Sequence, residues 1–412
     1  KVAVDGVAQA QSTTTSGGSW TISSVTASSG QVITTWLDGV ADASESTGVT
    51  KYDGTGNITG MVLNTNTLTV GSADNQSLTL TNVGAYPSAS DEDVMPSWTS
   101  STINVNGGGT YSDSTINVLA SNTLTVGATE TLTAHNTTIT GTLVATTTAT
   151  LNVSGHWTNN GTYTKGSETV TLNGTEAQTV AGSAASSFNS VTVSNTTATI
   201  SISTNINIAG TLTVNASASV TPAAAVVINT AAAAGTITGS GTVNVTRTAA
   251  TADYSSQYKF TTNTLTNLTV AYVGGAAQTV SALTYGNLTI NSGYTATAAG
   301  AVTVGGTMTV GATSVYYTGG QNLTVATLSN SGNIQLQGNE TTITITTMDT
   351  AKGTVTYIGN KDGVTDNLTI KDFGTNDYYD LILNSDSGYT ADQFMMGANL
   401  NVLHDLTITR GN

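Results

Sequence analysis

The chain has no cysteine, only three prolines, and Lys or Arg at just nine of its 412 positions. Without cysteine there is neither a disulfide nor a thiolate metal centre. Nine bases against 24 acids give a net charge of -15, which reflects scarcity of base rather than abundance of acid. A phosphate backbone is bound by clustered Lys and Arg that displace its counterions, so nucleic acid is excluded as a partner. An anionic membrane surface is excluded on the same ground. No apolar run reaches the 18 residues of a membrane span, and no membrane insertion is expected of this segment. The opening Lys1-Val2-Ala3-Val4-Asp5 lacks the apolar core of a signal peptide. It predicts that a targeting segment has been removed or that the chain starts inside a larger protein. The sequence stops at Gly411-Asn412, just after the strand-like run Leu406-Thr407-Ile408-Thr409-Arg410, which predicts that more chain follows.

Thr, Ser, Asn, Ala and 44 Gly fill the space that charge and aromatics leave. Low charge combined with many β-branched residues argues for an ordered chain with a thin core. A four-residue unit recurs, as in Thr67-Leu68-Thr69-Val70, Thr123-Leu124-Thr125-Val126, Asn287-Leu288-Thr289-Ile290 and Thr307-Met308-Thr309-Val310. Leu and Val or Ile fall on one face and Thr on the other, the period of a half-buried strand. Leu268, Leu288 and Met308 are spaced by 20 residues each, and Leu323 follows after 15. A step of about 20 residues is one coil of a β-solenoid, and it places Leu268, Leu288 and Met308 at equivalent positions. Gly and Asn between the strands are read as corners, because they tolerate positive φ. A longer period overlies the first: Glu176-Ala177-Gln178-Thr179-Val180 returns 100 residues later as Ala276-Ala277-Gln278-Thr279-Val280.

These patterns predict an all-β parallel β-helix or β-solenoid, with no helix longer than about two turns. Tandem immunoglobulin-like β-sandwiches of about 97 residues are the alternative for the longer period. Residues 101–412 form the repeat region. Residues 1–100 differ, holding Trp20, Trp36 and Trp98 of the four tryptophans and the acidic run Asp91-Glu92-Asp93. They are expected to be a cap or assembly region, with the three tryptophans as contact residues.

The run Ser154-Gly155-His156-Trp157-Thr158-Asn159-Asn160-Gly161, with Thr169-Val170-Thr171-Leu172, Gln178-Thr179-Val180 and Gly210-Thr211-Leu212-Thr213-Val214, resembles repeats of secreted prokaryotic surface proteins. These include haemagglutinin-like and autotransporter-like adhesins and surface-layer or filament proteins. The resemblance covers roughly residues 120 to 412 and carries no catalytic motif. It implies an extracellular, cell-surface location.

Candidate chemistry is sparse. Between Glu176 and Glu340 the only acid is Asp253, so this stretch lacks the carboxylate pair of a glycoside-cleaving β-helix. Asp362, Asp366, Asp372, Asp377 and Asp380 cluster later, either as solvated turn acids or as part of a cation site. Within them, Asp372, Asn376 and Asp377 offer the hard oxygens that Ca²⁺ prefers, without the spacing of an EF-hand. His135, His156 and His404 stand far apart in sequence and read as isolated. Of the many Asn-x-Ser/Thr sequons, Asn160 and Asn173 are the best placed for glycosylation, at expected corners. Tyr294, Tyr316, Tyr317, Tyr378, Tyr379 and Tyr389 form either a stacking face for sugars or core ladders. The sequence therefore predicts a structural protein, not an enzyme, that associates with copies of itself into a filament or surface layer. The stalk of a glycan- or host-binding adhesin is the alternative, and a polysaccharide-active β-helix a more distant one.

Overall fold

A computed structural model describes residues 1–40, 44–86, 94–105, 113–375, 377–385 and 392–410. The chain is an all-β parallel β-solenoid with coils of about 21 residues and helix at only 3%. Parallel pairing of successive repeats rules out the sandwich alternative, whose sheets are antiparallel. No helix among the described residues is long and apolar enough to cross a membrane. Two compact units divide the chain, residues 1–213 and residues 214–412.

The first unit opens with antiparallel strands. Val2–Val4 pairs with Val32–Trp36, which pairs with Ser46–Lys51. From Ser46–Lys51 onward the ladder turns parallel, through Thr67–Val70 to Thr115–Val118. Each later coil contributes three short strands, and each strand stacks on its counterpart one coil away. One ladder aligns Ile103, Leu132, Leu151, Val170 and Val191; a second aligns Leu78, Leu124, Leu143 and Tyr163. All nine are buried, and each of the eight aliphatic ones contributes roughly 1.5–3 kcal/mol by leaving water. On the opposite face Thr123, Thr142 and Thr162 form an outward row, in keeping with the comfort of β-branched residues on a pleated surface. The short helix Leu80–Val83 follows the strand Ser77–Thr79 at the edge of its sheet. Thr79 and Asn82 close it with a capping box, and Leu80 and Val83 are fully buried.

In the second unit the inner row runs Val243, Val270, Leu288, Met308 and Leu328. Leu288 and Met308 are thus stacked as expected, but Leu268 is not their partner. Val270 takes that place, because Leu268 lies in a turn where its N–H donates to the Leu265 carbonyl at 3.0 Å. A slip of two residues preserves the face, so Leu268 is still buried. Leu323 belongs to a different row, opposite Val302 and Ile343. A second helix, Asp253–Gln257, lies between the strands Thr242–Val245 and Thr269–Tyr272.

Gly and Asn make left-handed corners as expected, among them Gly182, Gly293, Asn66 and Asn229, but they share that role. Ser121, Thr129, Thr148 and Ser217 hold φ of 62–63°, so small polar residues make left-handed corners as well. Gly141 and Gly161 serve another need: a Cβ at Gly141 would strike the Leu119 carbonyl, and one at Gly161 the Gly141 carbonyl. Glycine is there because backbone packs on backbone between coils.

Candidate functional site

A cleft in the first unit is built from residues 9–31, a Ser/Thr-rich stretch without helix or regular strand whose first tight turn spans Ser16 to Ser19. In that turn Ser16 and Ser19 exchange backbone hydrogen bonds at 2.9 and 3.0 Å around Gly17 and Gly18, both at positive φ. Apolar anchors fix the rest: Ile22, Val25 and Ala27 pack on the buried Val2, Val4 and Ile33. Trp36, the last residue of Val32–Trp36, is 2% exposed and clusters with Ala3, Tyr86 and Val94. Between loop and strand lies a cleft of about 460 Å³, lined by both Trp20 and Trp36, by Ile22 and Leu63, and by the run from Ser12 to Thr15. Trp20 is half-buried there. Lys1 and Asp38 also line it and pair at 3.5 Å, an exposed ion pair that contributes little to stability.

The structure thus brings together two of the three tryptophans singled out by sequence. Trp98 is elsewhere, opposite Ile103 in the hairpin of Ser97–Thr99 and Thr102–Asn104, with its ring against Gly84. Asp91, Glu92 and Asp93 lie outside the described residues.

In the second unit the proposed calcium ligands are arranged as loop fasteners. Asp377 is fully buried, and its Oδ1 accepts N–H bonds from Phe373 at 2.6 Å and Gly374 at 3.1 Å. Its Oδ2 accepts from the Asn401 N–H at 2.7 Å. Asp372, exposed, accepts from the Gly374 N–H at 2.7 Å, while Asn376 lies outside the described residues. With so few basic side chains, backbone amides take the role of counter-groups for buried acids. Glu340 does the same, accepting from the Gln337 and Gly338 N–H groups and the Thr318 hydroxyl.

A group the sequence did not reveal joins Asp380, His404 and Asp405, whose ligand-capable atoms lie within 4.8 Å of one another. His404 Nδ1 is 2.7 Å from Asp380 Oδ1 and 3.4 Å from Asp405 Oδ2. Its ring stacks on Tyr379 at 4.8 Å and 6°. The hydrogen bond to Asp380, with the charge of Asp405, raises the His404 pKa above its ordinary 6.5. These residues share one corner because Leu381 and Leu406 are ladder partners, which sets Asp380 beside Asp405. His404 read as isolated because its partner is one coil, 24 residues, upstream. A divalent cation would accept the same three groups.

The remaining candidates sort by exposure. Asn160 and Asn173 are both exposed, although the Asn160 carboxamide oxygen already accepts from the Ser183 N–H at 2.9 Å. Asn195, also a sequon, is fully buried with its side chain bonded on both ends. Tyr294 is 49% exposed, whereas Tyr316 and Tyr378 are core residues. Tyr317 and Tyr379 are half-buried, and Tyr389 lies outside the described residues. Comparison with protein-family models, with curated proteins and with solved structures finds no match to this chain.

Proposed function

We propose that this chain is a structural protein of a cell surface, a stack of coils that associates with copies of itself into a filament or layer. The observation that carries this reading is the sustained register of the ladders. In the second unit Ala296, Tyr316, Ile334, Val355, Leu381 and Leu406 succeed one another at a single position through five parallel pairings. Such stacking gives a dry interior and coil-to-coil backbone hydrogen bonding, so stiffness follows without disulfides.

The test is electron microscopy and analytical ultracentrifugation of concentrated protein. Ordered assemblies that grow with concentration are expected. A wild-type chain that stays monomeric at every concentration overturns the reading.

A further inference from the structure

From the geometry of the cleft in the first unit we infer a binding site for a neutral oligosaccharide, built on the indole of Trp20. This goes beyond the structural reading and does not rest on it. The volume, about 460 Å³, falls in the range of about 300–1,000 Å³ typical of small-ligand sites. It has room for a short chain of sugar rings rather than for a single ion.

The lining selects the class of ligand. A pyranose ring has one face of C–H groups and a rim of hydroxyls, so it is bound by an aromatic plane beside hydroxyl partners. Trp20 supplies the plane, and Ser12, Thr13, Thr14 and Thr15, all exposed, supply consecutive hydroxyls that both donate and accept. A phosphorylated or strongly anionic ligand would look for several cations. Among the described residues the only lining cation is Lys1, already paired with Asp38. A lipid chain would look for continuous apolar walls, which the Ser/Thr run interrupts.

The site is also set before any ligand arrives. Trp36 is held in a buried cluster with Ala3 and Tyr86, and the loop bearing Trp20 is tied by Ile22, Val25 and Ala27 to the strand core. Gln11 adds a tie across the loop, its Nε2 donating to the Ser24 carbonyl at 3.0 Å. A long irregular loop fixed in this way is an unusual use of chain, and ordered loops of this length commonly bind. Little of the binding energy is then lost to ordering the site.

The test is tryptophan fluorescence and calorimetry of the full chain, titrated with neutral hexaoses of glucose, mannose, galactose and N-acetylglucosamine. Trp36 lines the same cleft and Trp98 is half-buried outside it, so the share of a ligand-dependent change that comes from Trp20 is read as the part lost in Trp20→Ala. Saturable binding of at least one hexaose is expected, weakened about two- to tenfold by Trp20→Ala, as loss of one aromatic stacking contact implies. Trp98→Phe, outside the cleft, should leave the affinity unchanged. The inference is overturned if no hexaose binds saturably at millimolar concentration, or if Trp20→Ala binds as the wild type does. Neither result bears on assembly, which is read separately by ultracentrifugation.

Discussion

Gln178 and Gln278, 100 residues apart and in different units, make the same three hydrogen bonds. Each accepts from the N–H of a glycine four residues earlier, Gly174 at 2.9 Å and Gly274 at 2.8 Å. Each then donates through Nε2 to two carbonyls of the preceding coil: Val153 and Gly155, both at 2.8 Å, or Val245 at 3.0 Å and Arg247 at 2.8 Å. Both side chains are buried, so the recurring Ala-Gln-Thr-Val motif marks a corner clamp that closes one coil on the next.

Removing that clamp should be costly. Gln278→Ala strands a donor and two acceptors in the interior, with an expected loss of about 2–4 kcal/mol. Gln278→Glu should do more damage, since a carboxylate oxygen would face two carbonyls in place of an N–H donor. Urea denaturation followed by circular dichroism checks both. A variant as stable as the wild type would mean that water replaces the amide.

The stacked row of Val270, Leu288 and Met308 gives a second outcome. Leu288→Asp places an unpaired charge in the fully buried row and should cost on the order of 3–5 kcal/mol. Thr289→Asp, one residue along on the half-exposed face, should change stability by less than about 1 kcal/mol. Equal tolerance of the two would place the wrong face inside.

The core face was legible because it depends only on period two, and every Leu, Val and Ile of the Leu-Thr-Val runs before residue 400 named above is buried. Register was not, because it depends on coil length. The step from Val270 to Leu288 is 18 residues, while that from Val243 to Val270 is 27 because the helix Asp253–Gln257 intervenes. Leu78 pairs with Leu124, 46 residues on, across the segment that holds the helix Leu80–Val83 and the Trp98 hairpin. No spacing rule recovers such detours. The same limit hid the cleft: Trp20 and Trp36 stand out by composition, but the irregular loop that brings them together has no pattern to read. It also hid Asp380 and His404, whose meeting follows from stacking rather than proximity in sequence.

Asp253 makes a pH-dependent contribution. Burial raises its pKa above the ordinary 3.8, against the lowering effect of N–H bonds from Thr279 and Ala250. Between 3.8 and the raised folded value, the folded chain keeps a proton that the unfolded chain has released. Stability from this group therefore falls as pH rises through that window and is flat above it. The difference in melting temperature between wild type and Asp253→Asn should accordingly shift in favour of the wild type as pH drops toward 4. A difference independent of pH would show that Asp253 is ionised throughout.

His404 has the opposite surroundings, exposed and beside two carboxylates, and its titration should report the Asp380 contact directly. With the folded pKa above 6.5, the pairing stabilises the fold fully below that value and is lost as pH climbs through the folded one. Asp380 supplies the larger share, through the 2.7 Å hydrogen bond to Nδ1, and Asp405 the lesser, at 3.4 Å. Asp380→Asn should then bring the His404 midpoint down toward its ordinary value, and Asp405→Asn should lower it by less. Proton chemical shifts of the imidazole, followed from pH 5 to 9, measure both. Because like charges on adjacent strands repel, Asp380 and Asp405 depend on the imidazolium between them, and His404→Ala should loosen the strand Leu406–Arg410 most on the mildly acidic side of 6.5, where the imidazolium is fully present, and less as pH rises. That loosening is read as faster amide exchange at Leu406, whose ladder partner is Leu381. A wild-type His404 that titrates at 6.5, with exchange unchanged by the alanine, would show that the three side chains act independently.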